Sequence, residues 1–296
     1  VELTTNALYD VPGPKTLARH RLYGWGATLV LLGMLAWVLY LLVDTGQFAA
    51  EKWAPFTYQG IQRLLLTGLA NTIKAFILAA VLSLVLGALL AAGRLSDHAP
   101  VRWVCTILVE FFRAMPLLVM IFFIFIALQV DAFLALVAGL VLYNGSVLAE
   151  VFRSGINSVP RGQSEAAYAL GMRKTQVMMH ILVPQAVRAM LPTVISQLVV
   201  TLKDTSLGYL ITYEEFLYTG KLIATNLNYG LPFIPVVLVI SPIYIGMCML
   251  LSALAKWVAE HNRRGPIADD AEIADPGPVP VVPGMPSGAT RLHGPQ

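Results

Sequence analysis

The sequence predicts an all-α, polytopic integral membrane protein with about six transmembrane helices. Three observations carry that prediction. Of the 296 residues, 57% are hydrophobic and 12% are charged, the latter about half the share of a soluble domain. Mean hydropathy is +0.71, so the chain lacks the polar residues needed to coat a core of this size. The apolar residues also gather into runs of about 20, the length that crosses a hydrocarbon core as a helix.

Taken in order, the runs are 22–43, 66–92, 105–129, 132–152, 186–202 and 233–258. The first follows Lys15, Arg19 and Arg21, a layout shared by signal peptides and true spans. It is longer than a signal core and no small-residue cleavage site follows, so a retained transmembrane helix is expected over 22–43. Residues 1–21 precede it as a cytoplasmic segment. Residues 44–65 form an external segment, with Trp53 and Tyr58 suited to headgroup depth and Arg63 near its end. The remaining runs make one core transmembrane domain over 66–258. Beyond Arg264, "DDAEIADPGPVPVVPGMPSG" is rich in Pro, Gly and acid. Such a segment cannot bury enough apolar surface to offset chain entropy, and 259–296 is expected to be a disordered cytoplasmic tail.

Orientation follows from Lys and Arg. With the N-terminus inside, the inner set holds Lys15, Arg19, Arg21, Arg94, Arg102, Arg153, Arg161, Arg173, Lys174, Arg263 and Arg264. The outer set holds Lys52, Arg63 and Lys221, with Lys203 near that edge. The bias places both termini in the cytoplasm. Cys105 and Cys248 lie in separate apolar runs with no metal or redox spacing, so both are expected as small buried hydrophobes. A net charge of +3 is too mild to suggest nucleic acid.

One stretch breaks the apolar pattern: "SEAAYALGMRKTQVMMHILVPQ", residues 164–185. Ser164 can cap a helix, Glu165 suits its positive end, and "AAYAL" propagates it. Gly171 is a natural stop. A second amphipathic helix is expected over 172–180, with Pro184 opening the next span. Ala166 and Ala169 offer a small-residue face for close approach of a partner. By periodicity alone, the segment is either such a knob or an amphipathic loop on the bilayer.

The longer pattern is more specific. Glu165-Ala166-Ala167, three residues, Gly171, nine residues, then Ile181-Leu182-Val183-Pro184 resembles the EAA loop of permease subunits in ABC importers. It departs only at Val183, where the family has Leu. "AEVFRSGINSVPRGQSEAA" (149–167) resembles the polar amino acid branch, and "GLANTIKAFILAAVLSLVLGALLAAGRLS" (68–96) its first core span. "VEFFRAMPLLV" (109–119) and "LKDTSLGYLI" (202–211) are similar to further family segments. "LYDVPGPK" (8–15), the extra first span and "EKWAPF" (51–56) resemble actinobacterial glutamate permeases in particular.

The resemblance implies a type I ABC importer permease fold with a coupling loop over 160–184. In it Gly162, Gln163, Glu165, Ala166, Ala167, Gly171, Ile181 and Pro184 would engage a cleft on a cytoplasmic ATPase and transmit its motion. It also implies two copies of that ATPase, a second permease in a hetero- or homodimer, and an extracellular amino acid-binding protein. The substrate would be a polar amino acid, glutamate or aspartate first, moved by alternating access. No G-x-x-x-x-G-K-[ST] loop is present, so ATP and Mg are expected on the ATPase subunit and no cofactor on this chain. No G-x-S-x-G or H-E-x-x-H motif occurs, and His180 has no ligand-spaced neighbour. Neither enzyme chemistry nor a metal site is expected.

Polar groups in the spans are the candidates for a substrate path. Glu110 and Arg113 share a helix face three residues apart, as an ion pair or as path residues. Asn144 and Ser146, flanking Gly145, either pack helices or line a path. Glu150 and Arg153 repeat the three-residue spacing, which favours anchoring. Lys203, Asp204, Thr205 and Ser206 end the fifth span. Lys203 and Asp204 carry both signs an amino acid needs, but successive helical residues diverge by about 100°, so one ligand meets both only if the helix breaks. For an acidic substrate, Lys203 and Arg113 lead. Lys74 is expected to snorkel. A secondary transporter is the alternative, favoured by an inverted repeat that the sequence does not display. A membrane enzyme would need a nucleophile facing a base, and no such pair is evident.

Overall fold

The computed structural model describes residues 14–263. Of the N-terminal segment expected over 1–21, residues 14–21 already belong to the first helix, and of the disordered tail expected over 259–296, residues 259–263 continue the last one; 1–13 and 264–296 lie outside the described residues. The helices are α1 (Pro14–Asp44), α2 (Ala50–Trp53), α3 (Gln59–Arg94), α4 (Ala99–Ala114), α5 (Leu117–Ala127), α6 (Ala132–Asn157), α7 (Arg161–Ala169), α8 (Lys174–Gln176), α9 (Val183–Asp204), α10 (Phe216–Ala224) and α11 (Phe233–Arg263). Among the described residues no strand occurs. Among the described residues, five helical stretches are long and apolar enough to cross a membrane: in α1, α3 and α6, over Lys174–Ile211, and in α11.

The predicted run 105–129 is not one straight span. It divides into α4 and α5, whose axes differ by 99°. The cause is Pro116: a residue before proline is pushed out of the helical region, and Met115 is extended at φ −80°, ψ 129°. α4 is amphipathic and packs on α3 and α6, while α5 turns its Met120, Ile121 and Ile124 into the core. The predicted helix 172–180 and span 186–202 also differ from the structure, because they form one continuous rod. α8 passes through a π-helical turn at Val177–Leu182 into α9, and a 3₁₀ turn extends it over Thr205–Ile211. Pro184 therefore lies inside the rod. The wide turn precedes it at the place where its ring would otherwise crowd the His180 carbonyl four residues back.

α6 is the central element. It buries Ala135, Leu136, Leu140, Leu148 and Ala149 completely. Asp131 caps it, accepting from the N–H groups of Phe133 at 3.0 Å and Leu134 at 3.1 Å. α3 lies against it through small residues: Ala75, Ala79, Ser83 and Gly87 are buried. A Cβ on Gly87 would stand 2.9 Å from the Leu148 Cβ and 3.0 Å from the Gly145 carbonyl oxygen. In lipid, close packing of this kind replaces the hydrophobic force that drives association in water. The segment 44–65, expected to be external, is partly helical, and α3 begins at Gln59, seven residues before the predicted span. The apolar stretch of α1 is wholly unburied.

Candidate functional site

The segment after α6 folds as a compact hairpin. α7 starts at Arg161 behind Pro160, three residues earlier than the predicted Ser164 cap. Ser164 is instead internal, and its Oγ donates to the Arg161 carbonyl at 2.8 Å. Pro160 holds the cap position with φ −54° and ψ 132°, its carbonyl accepts from Gln163 N–H at 3.0 Å, and no side chain caps the helix. Gly171 ends the helix as expected. Its φ is +79°, its N–H donates to Tyr168 O at 2.9 Å, and Met172 N–H donates to Ala167 O at 3.2 Å. That pair of bonds is the Schellman termination.

Ala167 is buried against the π turn, whereas Gly162, Gln163, Glu165, Ala166, Ala169 and Pro184 are exposed and Ile181 is half-buried. Tyr168 and Leu170 stand out at 48% and 83% exposed, with Met179 alongside at 59%. The hairpin is tied to the α3–α4 connection by Lys174, whose Nζ donates to Leu95 O at 3.3 Å and pairs with the Asp97 carboxylate. The Lys174 hydrogen bond and charge hold the Asp97 carboxyl below its ordinary range. The tie therefore persists through neutral pH and is lost only as pH falls through that depressed value.

Beside the hairpin, five charged side chains join three helices. Arg94 at the end of α3 donates through Nη1 to Glu150 Oε2 at 2.7 Å and lies 3.4 Å from Glu110 Oε1 through Nη2. Arg153 grips Glu150 at 2.5 Å, and Arg113 lies 3.7 Å from Glu110. Both three-residue pairs expected from the sequence are present. Arg94, only 10% exposed, is the member that the sequence did not reveal.

The other path candidates separate. Asn144 and Ser146 are fully buried inside the chain. Asn144 donates to Leu140 O at 3.0 Å and accepts from Gln197 Nε2 at 2.7 Å, joining α6 to α9. Ser146 Oγ donates back to Leu142 O at 2.8 Å. At the end of α9 the helix tightens into a 3₁₀ turn rather than breaking, so Lys203 and Asp204 diverge. Lys203 is exposed on a cavity of about 610 Å³, Asp204 is half-buried, Thr205 donates to Leu202 O, and Ser206 donates to Lys203 O. Lys74 is exposed and rests over the Phe133 ring at 4.7 Å, a cation–π contact.

A buried polar junction at the opposite end was not foreseen. Glu215 is fully buried and caps α10, accepting from Leu217 N–H at 2.8 Å and Tyr218 N–H at 2.7 Å. Thr72 of α3 and Tyr244 of α11 each reach its Oε2 at 3.5 Å, and Thr72 Oγ1 accepts from Phe216 N–H at 3.0 Å. The local signal was present: a carboxylate immediately before the apolar run "FLYTGKLI" is a helix-start pattern.

Apolar spans around a small-residue core, with a polar hairpin held at one end, define a multi-span membrane transport component. Residues 83–264 match the family described as binding-protein-dependent transport system inner membrane component, and the chain belongs to it. It is 41% identical over 235 residues to the glutamate transport system permease protein GluD of Corynebacterium glutamicum, covering 76% of this chain and 85% of that one. It is 37% identical over 174 residues to the glutamate/aspartate import permease protein GltK of Escherichia coli, covering 54% and 77%. A crystal structure of an amino acid ABC transporter with histidines superposes with a TM-score of 0.62 at 28% identity, covering 68% of this chain and 94% of that one. The chain is thus a membrane permease component of an ABC importer, and the ion-driven secondary transporter falls away.

Proposed function

We propose that this permease carries glutamate or aspartate and takes its motion from a separate ATPase through the hairpin at 160–184. One observation carries the coupling: the hairpin and the span behind it are one mechanical unit. α7 is closed onto the π turn by the Gly171 termination, and that turn continues without a break into α9. A push on exposed Tyr168 and Leu170 is therefore delivered to a transmembrane rod rather than absorbed in a loop. Glu165, Ala166, Gly162 and Gln163 present the polar and small surface around them, while buried Ala167 seats α7 on the π turn that contains Ile181 and precedes Pro184. The relatives' substrates support the choice of an acidic amino acid.

The hairpin end carries Arg94, Arg102, Arg153, Arg161, Arg173 and Lys174, which supports a cytoplasmic position for it and for both termini. Two ATPase copies would bind ATP and Mg. A second permease, identical or different, and an external amino acid-binding protein would complete the assembly. This chain would hold no cofactor or metal and perform no bond chemistry. Glu110, Arg113 and Glu150 would lie at the inner mouth of the path. Asn144 and Ser146 would fix the packing behind it.

The test is ATP-dependent uptake of labelled glutamate in cells carrying the partner subunits, with Gly171→Glu in this chain. The φ of +79° resists any side chain there. The expected outcome is a variant that reaches the membrane but loses both uptake and ATPase association. Unchanged uptake with unchanged association would reduce the hairpin to an ordinary inner loop.

A further inference from the structure

We propose that the exposed arc of α9 and the groove between α9 and α11 form the track for the acidic substrate, with Arg188, Lys203 and Lys256 selecting its carboxylates. The proposal rests on the import reading above and adds the site to it.

α9 crosses the bundle with one side unburied. At 100° per residue, Gln185, Arg188, Pro192, Ser196, Val199 and Lys203 fall within an arc of about 80°. All but Val199, which is half-buried, are exposed. A lipid-facing side would be apolar, because charged groups at membrane depth are costly. This side carries a cation near each end, separated by about 22 Å of helix rise. Pro192 adds a further polar feature: it offers no N–H to the Arg188 carbonyl, leaving that oxygen without its helical donor.

The facing wall repeats the pattern. On α11, Tyr244, Cys248, Ser252 and Lys256 recur every fourth residue and line the cavity of about 610 Å³ together with Val199, Lys203 and the apolar Ile245, Met249 and Ala253. No carboxylate lines this cavity. None of Arg188, Lys203 and Lys256 forms an ion pair with a described residue. Asp204, the chain neighbour of Lys203, is half-buried on a different side of the rod. On its other flank the same helix lends Ala189 and Thr193 to a second cavity, of about 410 Å³, which includes both Arg113 and Glu150. The exposed arc thus leads from Lys203 towards the hairpin end, where Arg94, Arg113 and Arg153 pair with Glu110 and Glu150. Hydroxyls and a free carbonyl offer weak partners for the ammonium group. Arg188 and Lys203, which pair with no carboxylate among the described residues, match a molecule with two carboxylates, and a neutral amino acid would leave one of their charges unmet.

The test uses the whole transporter in proteoliposomes. In a Cys105→Ser background, Cys248 is the remaining thiol of this chain, since the sequence holds two cysteines. Ser196→Cys supplies a second probe on α9. Each is treated with anionic and cationic methanethiosulfonates, with rates normalised to those of a small free thiol. The expected result is about a 10-fold preference for the anionic reagent, slowed by glutamate and abolished by Lys203→Gln with Lys256→Gln. Arg188→Gln and Lys203→Gln should each lower glutamate uptake relative to glutamine while ATPase association persists, which separates loss of the track from loss of coupling. Labelling without charge preference would overturn the selection of carboxylates. Thiols closed to aqueous reagents but cross-linking to the second permease would make this arc a subunit interface and overturn the track.

Discussion

At the scale of single residues, Arg94 shows what sequence spacing hides. Glu110–Arg113 and Glu150–Arg153 are legible because three residues bring side chains together on any helix. Arg94 meets partners 16 and 56 positions away, and Lys174 meets Asp97 across 77. Such contacts depend on which helices are neighbours, and nothing local encodes that. The energetic ranking also differs from the spacing. Glu110 is 57% exposed and its pairs are long, so Glu110→Ala should lie within about 0.5 kcal/mol of the parent. Arg94 is nearly buried and holds Glu150 at 2.7 Å. Arg94→Ala should cost about 2 kcal/mol, the worth of charge-assisted hydrogen bonds. Thermal unfolding of the purified subunit orders the two. An equal loss from both would mean that the exposed, long pairs of Glu110 contribute as much as the nearly buried Arg94–Glu150 pair.

At the scale of elements, hydropathy located the spans and proline decided their course. The run 105–129 was legible as apolar, and Pro116 marked where its helix could loosen; the 99° bend was not legible, because its size depends on how α5 packs against α6. The start of α7 moved for a related reason: a proline entrance replaced the expected serine cap. The end of the same helix was legible, since few residues other than glycine adopt φ +79°. α10 had no place in a count of spans, being nine residues long. Its seat is the Glu215 junction. Glu215→Ala would strand two helix N–H groups and leave Thr72 and Tyr244 facing an empty site, at a cost of about 2 kcal/mol. Glu215→Gln keeps an acceptor for one or both N–H groups and should recover at least half of that. Amide exchange of Leu217 and Tyr218 is the measurement. Protection that survives the alanine would show that packing alone seats α10.

At the scale of the whole molecule, the chain divides into a bundle that holds itself and a helix that does not join it. Hydropathy treats α1 and α6 alike, since both are long and apolar. Their surroundings are opposite. The apolar stretch of α6 is 56% buried inside the chain and that of α1 is 0% buried. The difference lies in residue size where helices meet. α3 and α6 approach through buried alanines and Gly87, whereas Leu29, Val30, Leu35 and Trp37 of α1 are all exposed. Lipid solvates such side chains as well as a protein surface does, so α1 gains nothing by docking without close packing. The core should therefore be stable without it. A specific protease site placed in the turn between Asp44 and Ala50 tests this in the purified subunit. After cleavage, α1 should separate from the remainder, and the unfolding temperature of the remainder should not change. A fragment that stays bound, with a lower unfolding temperature once it is removed, would show that α1 is part of the bundle after all. Separation would leave α1 free for a neighbour in the assembly, and repeating the cleavage in the complete transporter, with retention of α1 as the readout, would show whether one is there.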